Sequence, residues 1–295
     1  MSSPSRGERW LGIAGLALLY VLSAKLGQSL AIPPGNVTAV WLPSGIILAA
    51  VLLRGSWVWP GIFIGAFFGN ASAYVEVESV AQLGLTAAAG LGNGTGDVLC
   101  ALVAAGLLRR AGASYPFASA RQVLYLVLYG ALLGPLLSAV FGVTALMLAG
   151  FVPGPDYLRT FTTWWVGDAV GVLLVAPLLL SMHQSGRAAD PRELGLFAAI
   201  LIVLAAVLWS QGWVLGPIGL TVAMALCIWS ALRFDDRVTF ACVLAVSAVA
   251  IVASALEEPS VLPMNRRLLE LQLFVAVFSI AVIVLRSTVN ERAAA

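Results

Sequence analysis

Long apolar stretches, each ended by charge or by a Gly/Pro cluster, run through the whole chain of 295 residues and point to a lipid bilayer as its solvent. They fall at residues 10–31, 40–54, 57–74, 83–108, 122–150, 165–182, 194–209, 214–232, 238–256 and 267–286. A helix needs about 20 residues to cross the hydrocarbon layer, so the second and seventh stretches are short for a span. Composition agrees, with 61% apolar and 10% charged residues against about 25% charged in soluble domains. The expected fold class is all-α: a polytopic transmembrane helix bundle of about ten helices, or eight if the short stretches merge with their neighbours.

The placement of arginines sets an orientation. With alternating loops and both termini inside, the inner set is Arg6, Arg9, Arg54, Arg109, Arg110, Arg121, Arg187, Arg192, Arg233, Arg237, Arg286 and Arg292, against Arg159, Arg266 and Arg267 outside. This positive-inside bias predicts an N-in/C-in protein of a bacterial inner (plasma) membrane. Residues 1–9 then form a cytoplasmic tail, 10–287 the membrane domain and 288–295 a second short tail. No cleavage site follows the first stretch, so it reads as a retained helix. A net charge of +2 gives no reason to expect a nucleic acid partner. Cys100, Cys227 and Cys242 lie in separate apolar runs without a CxxC spacing and read as packing residues, so neither a disulfide framework, a metal nor another cofactor is expected.

An ionisable group in the bilayer centre costs roughly 2.5–3.5 kcal/mol on insertion scales, so each needs a partner or a purpose. Lys25 and Gln28 lie late in the first stretch, Asn36 and Trp41 in and after the turn Pro33-Pro34-Gly35, and Asn70 near the end of the third. Asn93 and Asp97 share one face of the fourth helix, and Asp168 is expected one turn inside the sixth. These groups either pair within the bundle, Lys25 with Asp168 for instance, or line a pocket open to the outer face. Trp164 and Trp165 read as an interfacial belt or as part of that pocket. Gly61, Gly65 and Gly69 form a small-xxx-small stripe, and Gly92 and Gly96 thin the fourth helix for close packing, as do Gly167 and Gly171 in the sixth. The run Gly90–Asp97 is no phosphate loop, since it lacks the Gly-Lys-Ser/Thr ending, but it has the composition to break a helix at membrane depth.

Three separated motifs resemble one family. They are Asn36-Val-Thr-Ala-Val-Trp41-Leu-Pro43-Ser-Gly45 with Trp59-Pro60-Gly61, then Gly92-Asn93 with Leu107-Leu108-Arg109-Arg110, then Trp164-Trp165-Val-Gly167-Asp168-Ala-Val-Gly171 running to Pro177. Together they resemble the bacterial membrane-associated sensor domain of the first MASE type. The resemblance implies a sensory input module in signal transduction that is joined, in relatives, to a histidine kinase, a diguanylate cyclase or phosphodiesterase of cyclic di-GMP signalling, or a PAS domain. It carries over Trp41, Pro43, Asn70, Asn93, Trp164, Gly167 and Asp168. The expected partners are the bilayer, a cytoplasmic output domain or protein, a small ligand and a second copy of the chain. Lys25, Asn93 and Asp168 are the expected sensing residues, with Asp97 as a midplane relay. The alternative function is a small-solute transporter, suggested by the Gly-rich fourth helix and the acids Asp97 and Asp168. An enzyme is not expected: His183 is the only histidine, and no Ser-His-Asp or HExxH set can be assembled.

Overall fold

A computed structural model describes residues 5–30, 38–71, 79–113, 117, 119–183, 190–210, 212, 216–256 and 264–294. All regular structure among them is helical. The helices are α1 (Arg6–Ser29), α2 (Leu42–Arg54), α3 (Trp59–Ala71), α4 (Val80–Arg110), α5 (Ala120–Tyr125), α6 (Gly134–Leu148), α7 (Tyr157–Ser181), α8 (Pro191–Ser210), α9 (Pro217–Arg233), α10 (Asp236–Leu256) and α11 (Met264–Ala294). A π-helical stretch, Leu126–Leu133, joins α5 and α6 into one rod, Ala120–Leu148. Among the described residues, seven rods are long and apolar enough to cross a membrane.

Several expectations change in detail. The seventh stretch is not short, since α8 has 20 residues; α2 and α3, with 13 each, and α9, with 17, are the short helices. The fourth helix does not break. α4 continues through its glycines for 31 residues because both flanks are filled. A Cβ on Gly90 or Gly94 would meet Phe67 or Phe63 of α3 at 3.0 Å, and one on Gly96 would meet Phe141 of α6 at 3.0 Å. The sixth expected span starts too late: α7 begins at Tyr157, so Asp168 lies eleven residues in, about 16 Å deep at 1.5 Å per residue. Its first turns look polar in sequence, but the hydroxyls of Thr160, Thr162 and Thr163 donate to the carbonyls of Asp156, Leu158 and Arg159 one turn back, which hides their polarity. At the C-terminus α11 absorbs the expected tail and runs unbroken to Ala294.

Packing follows the small residues. α3 lies on α1 through Gly61, Gly65 and Gly69, where added Cβ atoms would meet the Ile13 carbonyl at 2.6 Å, Tyr20 Cβ at 2.6 Å and the Tyr20 ring at 2.9 Å. α2 lies parallel to α7 with Gly45 against the Gly171 carbonyl and Val175. Gly55, in the left-handed region at φ 98°, ends α2 and lets the chain turn into α3.

Arg109, Arg233, Arg237 and Arg286 gather at one end of the bundle, where they cap carbonyls and pair with acids. Arg109 donates to the Val51 carbonyl at 2.5 Å, Arg237 to that of Ser181 at 3.3 Å, and Arg286 to that of Ala231 at 3.0 Å. Arg233 pairs with Glu193, and Arg286 with Asp236 at 2.5 Å. Cys227 and Cys242, separate in sequence, meet with sulfurs 3.5 Å apart between α9 and α10, both as free thiols.

Candidate functional site

Tyr20 of α1 is the hub of a buried polar network between α1, α2, α3, α4, α6 and α7. Its side chain is fully buried, held between α3 glycines and the edge of the Trp41 ring at a centroid distance of 6.4 Å. The hydroxyl donates to Asp97 Oδ2 at 2.5 Å and accepts from the Trp41 indole and the Asn70 amide, each at 3.2 Å. Asp97 accepts a second bond from Ser138 Oγ at 2.6 Å, and Asp168 accepts from Ser44 Oγ at 2.7 Å. Ser138 lies against Asp168 as well as Asp97, so the two carboxyls sit in one electrostatic unit. Asp97 is 3% exposed and Asp168 4%. Among the described residues no cation pairs with either.

Local sequence explains this convergence. Pro43 and Gly45 open α2, and Trp41, at its N-cap, donates its backbone N–H to the Gly167 carbonyl at 3.1 Å. Gly171 has no Cβ because the Trp41 carbonyl occupies that space. The pairing of the motif around Trp41 with the motif around Gly167 therefore brings Ser44 to Asp168. Gly96 admits α6 next to α4, which brings Ser138 to Asp97.

One turn from Asp97, toward the end of the bundle away from the arginines, stands Asn93. It is 3% exposed, and neither its amide nitrogen nor its oxygen has a hydrogen-bond partner. Its oxygen faces Gly142 of α6, where an added Cβ would lie 2.6 Å from it and 3.1 Å from the Trp164 ring. A plug of Ala89, Leu146, Ala149 and Val152, packed by Phe151 and Trp164, covers this side. A buried amide with four unused hydrogen-bonding positions costs a few kcal/mol unless a ligand or water fills them.

The remaining expected residues divide. Gln28 donates to the Gly69 carbonyl at 2.9 Å and ties α1 to α3. The Trp165 indole donates to the Leu132 carbonyl at 2.9 Å in the π-helical stretch. The expected Lys25–Asp168 pairing does not form: Lys25 is exposed, and the Asp168 carboxyl takes the Ser44 hydroxyl instead. Asn36 lies outside the described residues.

Sequence reasoning missed Tyr20, Ser44, Ser138 and Gln272. Gln272 of α11 is fully buried, donates to the Thr163 carbonyl at 3.2 Å and packs over Gly167, leaving its own oxygen without a partner. It ties the last helix to the turn beside Asp168.

The MASE1 family profile matches residues 10–293. The chain is also 30% identical over 208 residues to a probable diguanylate cyclase, DgcE, of Escherichia coli (strain K12), a match covering 70% of this chain and 18% of that relative's length. No solved structure matches. Three motifs that meet around one buried carboxyl pair, in a chain matched along nearly all its length, make this a member of the MASE1 family of membrane sensory domains.

Proposed function

We propose that the chain is the input module of a bacterial signalling protein, seated in the inner membrane with both termini in the cytoplasm. It takes up a small polar or cationic ligand at the Asn93–Asp97–Asp168 network and passes the change to an output of the diguanylate cyclase, histidine kinase or PAS type. The observation that carries this reading is the Asn93 amide, buried without a partner one turn from Asp97, in a network whose two carboxyls, Asp97 and Asp168, have no counter-charge among the described residues. Uncompensated polar groups at that depth are expensive, so they mark the place where a ligand has most to gain. The clustering of arginines at the α11 output end supports the cytoplasmic orientation, and Gln272 offers a route from the site to that helix. A ligand shifts output only if it binds two packings of the bundle with different affinity. In this reading the module itself catalyses nothing.

The test fuses the chain to a diguanylate cyclase domain and reads cyclic di-GMP in cells across a panel of small amines, cations and amino acids. Asp168→Asn and Asn93→Leu are each expected to abolish a response that Lys25→Met retains. Identical output from all three variants and the parent under every condition refutes the site. Solute accumulation in vesicles carrying the chain alone would replace sensing with transport.

A further inference from the structure

We propose a second binding site, for a lipophilic carbonyl compound of the quinone type, in the cavity between α8, α9, α10 and α11. It is separate from the carboxyl network and stands whether or not that network senses anything.

α8 is held mainly at one end. Phe197 packs on Trp229 and Phe234 at centroid distances of 5.2 and 5.0 Å, and Glu193 pairs with Arg233. Phe197 is the one residue of α8 that is buried. Beyond it the helix splays away and leaves a narrow apolar cavity of about 50 Å³, lined among others by Leu204, Ala223, Ser247, Ala250, Phe274 and Phe278. The groove that adjoins it between α8 and α10 holds about 370 Å³, room for a ring and part of a chain. Ala205 and Val249 line both, and the groove is bounded by Trp209 and Val252, so the cavity continues to the lipid-facing surface. An apolar tail can leave by that route into the hydrocarbon.

Ser247 supplies the specificity. Ser230 and Ser279 on the neighbouring helices and Thr239 earlier in α10 each spend their hydroxyl on a carbonyl of the preceding turn. Ser247 does not: it is 2% exposed and its hydroxyl has no partner. It stands eleven residues into α10, about 16 Å from that helix's start at 1.5 Å per residue, near the middle of a hydrocarbon layer of about 30 Å. Phospholipid ester carbonyls sit at the interface and water is absent at that depth, so the missing acceptor must travel on an apolar body. Phe274 and Phe278 present parallel rings, 5.7 Å apart with 7° between planes, on the α11 wall. A flat ring carrying carbonyl oxygens fits the aromatic wall and the hydroxyl together.

The full chain in detergent is titrated with decylubiquinone, followed by tryptophan quenching and by thermal melting. Saturable binding that raises the melting temperature is expected, weakened about tenfold by Ser247→Ala, the loss of one hydrogen bond. Ser247→Ala without ligand is expected to melt at or above the parent temperature, because the hydroxyl is unsatisfied; this separates lost binding from lost fold. Ala250→Trp, which fills the cavity, is expected to remove binding. Decylbenzene, with the tail but no carbonyl, is expected to bind the parent no better than decylubiquinone binds Ser247→Ala. Non-saturable quenching, equal affinity of parent and Ser247→Ala, or equal affinity for decylbenzene and the quinone each overturns the assignment.

Discussion

Replacing Tyr20 by phenylalanine keeps the ring between the α3 glycines and deletes only the hydroxyl, so it isolates the polar hub from the packing around it. Asp97 would lose one of its two donors, and the Trp41 indole and Asn70 amide would lose their shared acceptor. Polar contacts between membrane helices average about 0.6 kcal/mol each, whereas stranding buried partners costs about 1–3 kcal/mol. Tyr20→Phe is expected to fall in the second range in a detergent unfolding titration, and a loss under about 0.5 kcal/mol would mean that the three partners find other bonds. The sequence hid this residue because a tyrosine in an apolar run is ordinary. Its signal was phase: Leu16, Tyr20, Ala24 and Gly27 form one buried stripe. Lys25 drew attention by its charge, yet five residues on from Tyr20 it points roughly 140° away from that stripe. Asn93, Asp97 and Asp168 were legible because charge and amide groups at membrane depth stand out; the hydroxyls of Ser44 and Ser138 were not, because serine is common in such helices and its partner lies on another one.

At the scale of elements, glycine positions separate close approach from mere composition. A methyl at Gly45 would collide with the Gly171 carbonyl and lie 2.6 Å from Val175 Cβ, where α2 and α7 bring Ser44 to Asp168. Gly84, in the exposed part of α4, has nothing within 4 Å. Gly45→Ala is therefore expected to destabilise by about 1–3 kcal/mol through overpacking, and Gly84→Ala to stabilise by about 0.5–1 kcal/mol through lost backbone entropy. Opposite signs in the same unfolding assay check the α2–α7 contact directly; equal effects would show that helix propensity alone governs both sites. Hydropathy located every helical segment, since apolar length is a local property. It misplaced the start of α7 and undercounted α8 because threonine hydroxyls bonded to their own helix, and polar residues such as Arg192 and Glu193 in a first turn, count as hydrophilic in sequence while belonging to the rod.

For the whole molecule, α11 is held at two levels. Gln272 ties it to α7 beside the carboxyl pair, and fourteen residues later, about 21 Å along the helix, Arg286 is bound by Asp236 and the Ala231 carbonyl. Asn290 adds a bond to the same carboxyl at 3.0 Å, and the ion pair is only 13% and 12% exposed on its two sides. Such a charge-assisted cluster contributes more than a surface pair, so Arg286→Gln is expected to cost about 1.5–3 kcal/mol. Gln272→Leu also discards an unsatisfied oxygen and is expected to cost less. Sites this far apart share no partners, so the two stability changes should add within about 0.5 kcal/mol. Output from the fused cyclase should behave differently. If α11 moves as one rod, freeing either end lets it tilt about the other, and freeing both adds little to what one release achieved. Additive stability with a non-additive change in cyclic di-GMP is the signature of a two-point lever, whereas additivity in both readouts would mean that the two ties act only as local glue.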